Sequence, residues 1–120
     1  MAYHLALLDY VKRCPGPHFR ELSRELGMPV GTLQYWLGRL MELGVLYSLR
    51  LAWRPRYFHA AVPRYEAEVI YVIREVKLTP SRAAELTTGL RPEVVQVVAD
   101  KYPCVRRDLV DAFITLFSQL

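Results

Sequence analysis

The stretch that decides the fold is HFRELSRELGMPVGTLQYWLGRLMELG, residues His18 to Gly44. In its first part Phe19, Leu22 and Leu26 recur at helical spacing on one face. Gly27 follows at once and ends that helix, because glycine tolerates the left-handed conformation of a helix cap. This part of the stretch therefore predicts a short helix closed by a tight turn.

The second part of the stretch predicts another helix, over about residues 30–42, starting next to Pro29. One face carries leucines spaced for burial, namely Leu33, Leu37 and Leu40. The other face is poor in charge and holds Gly31, Gln34, Tyr35, Gly38 and Arg39. Two short helices joined by a tight turn predict a helix-turn-helix whose outer face is nearly neutral.

The flanking sequence predicts one further helix and a hairpin. Residues 3–13 carry a broad apolar helical face, which the sequence Cys-Pro-Gly-Pro at 14–17 interrupts sharply. After the helix-turn-helix, residues 45–51 and 57–62 read as two strands, with a turn over residues 52–56. We therefore expect a hairpin over residues 46–62 with Arg54 and Arg56 at or near its tip.

Composition and charge limit the classes of protein to which the chain can belong. The chain has 120 residues, 52% of them hydrophobic, enough for one compact domain or two small units that share a core. Residues 1–62 hold eight basic and four acidic side chains, whereas residues 63–120 balance eight against eight, so the whole net charge of +4 lies in the first half. This favours a phosphate-facing surface there, with a chance imbalance as the alternative. No apolar run is long enough to span a membrane and the N-terminal charges follow the apolar run, so we expect a soluble, cytoplasmic protein.

These features together resemble the winged helix-turn-helix transcriptional regulators, especially the archaeal ones. The resemblance covers about residues 3–62 and is carried by ordered glycines and leucines at Gly27, Gly31, Leu33, Leu37, Leu40 and Gly44. One departure is Trp36, at a position where the family commonly has histidine. The resemblance implies a mainly α fold with a β-hairpin wing in residues 1–63, and sequence-specific binding to double-stranded DNA. The second helix would enter the major groove, and the wing would lie on the backbone or in the minor groove.

The resemblance also implies a set of contact residues. Base edges and adjoining phosphates would face Val30, Gly31, Thr32, Gln34 and Tyr35. Phosphates would face His18, Arg20 and Arg39, and the wing would contribute Arg50, Arg54, Arg56 and Tyr57. Chemically, Gln34 can pair with adenine, Thr32 can donate to a base or phosphate, and Val30 can touch a thymine methyl.

Residues 64–120 form a helical region in our interpretation. We predict helices over about residues 65–76, 80–86, 92–101 and 108–120. The region resembles either a degenerate second helix-turn-helix, as in regulators with paired units, or a simple helical dimerisation element. No second wing is evident, since only Val105, Arg106 and Arg107 precede the last predicted helix.

The last predicted helix has a very wide apolar face. Its members are Leu109, Val110, Phe113, Ile114, Leu116, Phe117 and Leu120. Such a helix must be buried in its own core or against another chain. We expect a homodimer through this half, which would supply two recognition helices for a pseudo-palindromic site.

Other classes of function receive less support. Cys14 and Cys104 form no Cys-x-x-Cys pair and are expected to be ordinary thiols, with a disulfide between them as the open alternative. Three scattered histidines offer no ligand or triad spacing, so we expect no metal, no cofactor and no enzyme activity. The sequence gives no indication of an effector. The rival hypothesis is a winged-helix module that binds proteins in transcription or replication machinery without touching DNA.

Overall fold

The computed structural model describes residues 2–75 and 92–118, which form six α-helices and one antiparallel hairpin. In chain order the elements are α1 (Tyr3–Arg13), α2 (Phe19–Leu26), α3 (Val30–Glu42), β1 (Leu46–Leu49), β2 (Arg56–His59), α4 (Arg64–Glu75), α5 (Pro92–Lys101) and α6 (Pro103–Ser118). Three helices followed by a hairpin and further helices confirm the predicted fold class, a winged helix-turn-helix with a C-terminal helical region.

The predicted helix boundaries hold in the first half and fail in one place in the second, and both strands are shorter than predicted, with β1 over Leu46–Leu49 and β2 over Arg56–His59. The bounds of α1 and α3 agree with the sequence prediction, and α4 agrees to within a residue. The prediction for the last helix is wrong, because α6 begins at Pro103 and contains Val105, Arg106 and Arg107. Proline suits the first turn of a helix, where its missing N–H has no partner to lose. The predicted helix over residues 80–86 lies outside the described residues.

Local signals close the turn between α2 and α3. The side chain of His18 accepts a hydrogen bond from the backbone N–H of Glu21 and so caps the start of α2. Gly27 ends α2 with a φ of 59°, in the left-handed region that favours glycine. Pro29 is the residue immediately before α3.

The winged-helix half has its own hydrophobic core. The three leucines of α3 are buried in it as predicted, with exposures of 5% or less. The buried members of this core are Leu7, Val11, Leu22, Met28, Leu33, Leu37, Leu40, Leu46 and Tyr57. Packing on α1, α2 and the hairpin therefore fixes which face of α3 remains outside.

A second hydrophobic core joins the two halves of the chain. Phe58 of β2 and Ile70 of α4 belong to it, together with Val105 of α6. Gly16 lies against this core with a φ of 79°, and a Cβ there would come within 2.9 Å of Ile70. Cys14 and Cys104 form a disulfide across the same region, with their Cα atoms 5.7 Å apart. The prediction of ordinary thiols is therefore wrong, because folding brings together two cysteines that are 90 residues apart.

The hairpin is short and is anchored on both sides. Its register pairs Leu46 with His59 and Leu49 with Arg56. The connection between α1 and α2 hydrogen-bonds to β2, since Gly16 N–H donates to the carbonyl of Tyr57, whose N–H donates to the carbonyl of Pro17. Among the residues that the structure describes, no helix is both long and apolar enough to cross a membrane.

Candidate nucleic-acid interface

The outer face of α3 is exposed and nearly neutral. Val30 and Tyr35 keep 54% and 61% of their surface exposed, and Gly31 and Gln34 are exposed beside them. Thr32 is half-buried. Because the leucine face of α3 is buried, these five residues form a surface that a groove of DNA can reach. We call Val30, Gly31, Thr32, Gln34 and Tyr35 the reading face.

Aromatic side chains continue from the reading face onto α1. The half-buried ring of Trp36 lies with its centroid 4.8 Å from that of His4 and meets Tyr35 edge-on at 5.1 Å. Trp36 thus packs between α3 and α1, where it holds the reading face against the first helix.

Three arginines lie exposed around the reading face or on the wing. Arg20, in the first turn of α2, has no side-chain partner among the described residues. Arg39 donates to Glu42 at 3.4 Å, a long contact on the surface that contributes little. Arg50 donates to the carbonyl of Ala52 at 3.3 Å and stays exposed. Each of these side chains can turn toward a phosphate at small cost.

The wing tip presents an aromatic ring that the sequence prediction missed. Trp53 is 62% exposed and Leu51 is 49% exposed. The guanidinium of Arg54 lies 4.5 Å above the Trp53 ring, within the range of a cation–π contact. Large apolar side chains within a predicted turn were the available signal, since turns are normally polar.

The wing tip is tied to α4 by hydrogen bonds. The hydroxyl of Tyr71 donates to the carbonyl of Arg54 and accepts from the N–H of Ala52. Arg54 also donates through Nε to Glu75 at 2.7 Å, so only part of its charge is offered to solvent. These hydrogen bonds fix the position of the wing tip relative to α4.

Two predicted wing contacts are wrong because the structure buries both residues. Arg56 is 2% exposed and donates to Glu75 at 2.7 Å and to the carbonyl of Gly16 at 2.6 Å. Tyr57 is 9% exposed and packs in the winged-helix core. The pKa of Glu75 lies below its ordinary value: burial raises it, but the bond from Arg54 and the charge of Arg56 outweigh that effect. Arg56 therefore carries a structural charge and is not available to DNA.

His18, predicted to face a phosphate at the start of α2, carries the N-terminal cap of that helix. Its Nδ1 accepts the capping bond at 3.1 Å, which requires an unprotonated nitrogen. Burial and the charges of Arg54 and Arg56 lower the pKa of His18 from 6.5 to about 4. The ring is therefore neutral at pH 7 and gives no positive charge to a phosphate.

Arg74 of α4 connects three elements behind the interface. It is 8% exposed and donates to Glu21 of α2 at 2.7 Å, to Asp108 of α6 at 2.8 Å and to the carbonyl of Pro15 at 3.0 Å. Burial raises the pKa of Glu21, but the charge and hydrogen bond of Arg74 outweigh it, so the pKa is lowered. The position of α2 is thereby coupled to the C-terminal helices.

The residues predicted to form a dimer interface divide between core and surface. Leu109 packs against the shared core, whereas Val110 and Ile114 are 49% and 60% exposed on α6. Val97 on α5 is 59% exposed. The side chains of Phe113, Leu116, Phe117 and Leu120 lie outside the described residues.

Metal-ligating side chains do not cluster in residues 2–75 and 92–118. In that part of the chain no group of three or more His, Cys, Asp or Glu side chains is arranged to hold a metal ion. Cys14, which stands four residues before His18, is engaged in the disulfide.

Comparison with known proteins identifies a domain family that matches this part of the chain. A family model described as an N-terminal HTH domain matches residues 3–70, more than half of the chain. No curated protein and no solved structure matches significantly. The match contains α1 to α3, the hairpin and the start of α4, the elements that build the reading face. The chain therefore belongs to this helix-turn-helix family, a class of domain that binds DNA.

Proposed function

We propose that the protein is a transcriptional regulator that binds a specific sequence of double-stranded DNA with α3 in the major groove. The observation that carries this proposal is the reading face itself, an exposed neutral helix surface within reach of unpaired or weakly paired arginines. Neutral groups that can approach base edges supply specificity, and surrounding cations supply affinity.

Base reading is assigned to the start and middle of α3. Gln34 is exposed and carries an amide that can pair bidentately with adenine. Val30 can contact a thymine methyl, and Gly31 lets the helix come close to the groove because it has no side chain. Thr32 and Tyr35 complete the reading face.

Backbone contacts are assigned to arginines on three elements. Arg20 in α2, Arg39 in α3, and Arg50 and Arg54 in the hairpin are at least partly exposed. Four phosphate contacts per chain correspond to a salt slope, the slope of log binding constant against log salt concentration, of about −3 to −4 for one bound protomer.

We further propose that the second half forms a homodimer through the exposed apolar side chains of α5 and α6. Val97, Val110 and Ile114 are each about half exposed or more. Two protomers would carry two copies of α3 to half-sites about one helical turn of DNA apart, doubling the electrostatic contribution. In this proposal residues 1–63 bind DNA and residues 64–120 associate, whether or not the latter derive from a second helix-turn-helix. The resemblance to archaeal regulators supports the regulatory role.

A protein-binding module is the second candidate, favoured by the apolar character of the same surface. Val30, Tyr35 and Leu43 are all more than half exposed. A partner protein could cover them without any cation. The exposed arginines beside them favour DNA.

Duplex binding at increasing salt distinguishes the two. Binding of random-sequence duplexes, measured by fluorescence anisotropy, should weaken with salt with the negative salt slope given above. R20Q/R50Q should reduce the magnitude of that slope by about two per protomer. R106Q is the matched control, because Arg106 is an exposed arginine on α6 that pairs with Asp100. Q34A should weaken a selected site by about 1–3 kcal/mol while leaving random duplexes unchanged. No binding even at low salt would refute DNA recognition and favour the protein-binding module.

A further inference from the structure

The Cys14–Cys104 disulfide lines an open groove. The groove has a volume of about 660 Å³, and both cysteines line it. Each cysteine keeps 8% of its surface exposed, whereas neighbouring core residues such as Val11 and Val105 are fully buried. Both cysteines therefore reach the surface of the groove, and attack on their sulfur atoms without prior unfolding is part of the proposal tested below.

The walls of the groove are strongly cationic. Lys12, Arg13, Lys101 and Arg107 line it, against the carboxylate of Glu25. The carboxylate of Glu21 lies 3.9 Å from the Cys14 sulfur, but its charge is offset by the ion pair with Arg74. Arg13 is paired with Asp9, and Lys101 with Glu66. Lys12 and Arg107 are exposed and have no carboxylate partner among the described residues. Two positive charges without an ion-pair partner thus line the same groove as the disulfide.

Positive charge next to a disulfide favours its exchange with thiols. The attacking species is a thiolate, and the departing sulfur also carries negative charge, so nearby cations stabilise both. A reductant that is itself anionic is attracted in addition.

We propose that Cys14–Cys104 is a thiol–disulfide exchange site whose reductant is a small anionic thiol. The thiolate of one reductant molecule attacks either protein sulfur, which breaks the protein disulfide and forms a mixed disulfide. A second reductant thiolate attacks the sulfur of the first and releases the remaining cysteine. Two electrons and two protons pass to the protein, which ends with two thiols, and the two reductant molecules end as one small disulfide.

Reduction releases a covalent link between the two halves while other contacts persist. The bond joins the α1–α2 connection to the first turn of α6. The ion pairs of Arg74 with Glu21 and Asp108 bridge the same elements. We therefore expect the protein to stay folded in both states, as an exchange site requires.

The test uses three thiols of different charge and no DNA. Reduction of the native protein is followed at low salt with thioglycolate, 2-mercaptoethanol and cysteamine, whose charges besides the thiol are −1, 0 and +1. Each rate constant is divided by the rate constant of the same thiol with a neutral model disulfide, which removes intrinsic reactivity. We expect the normalised rate constant of thioglycolate to exceed that of 2-mercaptoethanol by about fivefold, because the charges of Lys12 and Arg107 attract its extra negative charge through water. The normalised rate constant of cysteamine should be the lowest.

Two controls isolate the role of the groove. K12Q/R107Q should lose the charge preference, whereas R50Q, which removes an exposed arginine of the wing, should keep it. High salt should abolish the preference in the native protein, so the test remains decisive if the double variant does not fold. Equal normalised rates for the three thiols would overturn the proposal. A rate independent of thiol concentration would also overturn it, since reduction would then wait for unfolding.

Discussion

Replacing Arg74 by methionine tests whether this one buried charge holds the two halves together. The guanidinium of Arg74 is 8% exposed and contacts two carboxylates, on Glu21 and Asp108. Methionine fills a similar volume but cannot donate hydrogen bonds. The variant R74M therefore removes from this buried site the cation that Glu21 and Asp108 share.

The expected cost follows from that loss of compensation. Breaking a buried ion pair by removing one partner costs about 3–5 kcal/mol of unfolding free energy, because the other charge stays buried. For a domain of this size the melting temperature should fall by about 10–20 °C. The matched control is R64M: Arg64 pairs with Glu68 on the surface, where such a pair contributes about 0–1 kcal/mol.

The pH dependence gives the prediction a sign. The folded-state pKa of Glu21 is lowered, so Glu21 adds stability above its unfolded pKa, near 4.5, and this is lost as the pH falls through the lowered value. R74M removes the largest causes that lower the pKa of Glu21, the charge and the hydrogen bond of Arg74, so the carboxyl protonates at higher pH than in the native protein. The difference in stability between native protein and R74M should therefore be largest at pH 7 and shrink toward pH 4.

Guanidinium denaturation between pH 4 and 7, with the disulfide intact, measures these differences. The variant R74M/E21Q should recover part of the loss, since one stranded charge is removed. If R74M lies within 1 kcal/mol of the native protein at pH 7, or if its deficit grows toward pH 4, the reasoning about Arg74 is refuted.

Three further perturbations have outcomes that the structure determines. I114E should convert the proposed dimer to monomer in sedimentation equilibrium, whereas L43E, at an equally exposed residue of the winged-helix half, should not; a dimeric I114E rejects the interface on α6. H18N should keep the cap of α2 and make the melting temperature less sensitive to pH between 6.5 and 4. In the native protein the pKa of His18 is lowered in the folded state, so protonation of the unfolded state in that pH range destabilises the fold. An unchanged pH profile would contradict the neutral cap. G16A should cost more than 1 kcal/mol because of the positive φ and the contact with the core, while G31A, at an open helical position, should stabilise the fold by about 0.5–1 kcal/mol; equal effects in thermal melts would argue against the close packing at Gly16.

The first half of the fold was predictable because its signals are local. Capping, helical periodicity and the glycine at the end of α2 each act within a few residues of the feature they determine. The bounds of α1 and α3 therefore followed from spacing alone. The start of α6 was missed because residues 102–107 were left between the two predicted helices, although Pro103 suits the first turn of a helix.

The candidate interface was predictable only in part. Periodicity separates the exposed side chains of α3 from its leucine face, since side chains three or four positions apart lie on the same face of a helix. The hairpin gave no such separation, because a strand can bury both faces when another element covers it. Arg56 and Tyr57 were therefore assigned to DNA although α4 and the core enclose them.

By itself the sequence determined the helix-turn-helix, the direction of its reading face and the location of the excess charge. These properties depend on residue type and short-range spacing. Only the tertiary structure decided which arginines remain outside, that His18 is a neutral cap, and that Cys14 meets Cys104. The exposure of the arginines and the disulfide depend on α4 or α6 packing against residues about 20 to 90 positions earlier, and the neutral ring of His18 depends on burial and on Arg54 and Arg56 of the hairpin. Local spacing contains no information about contacts at such separations.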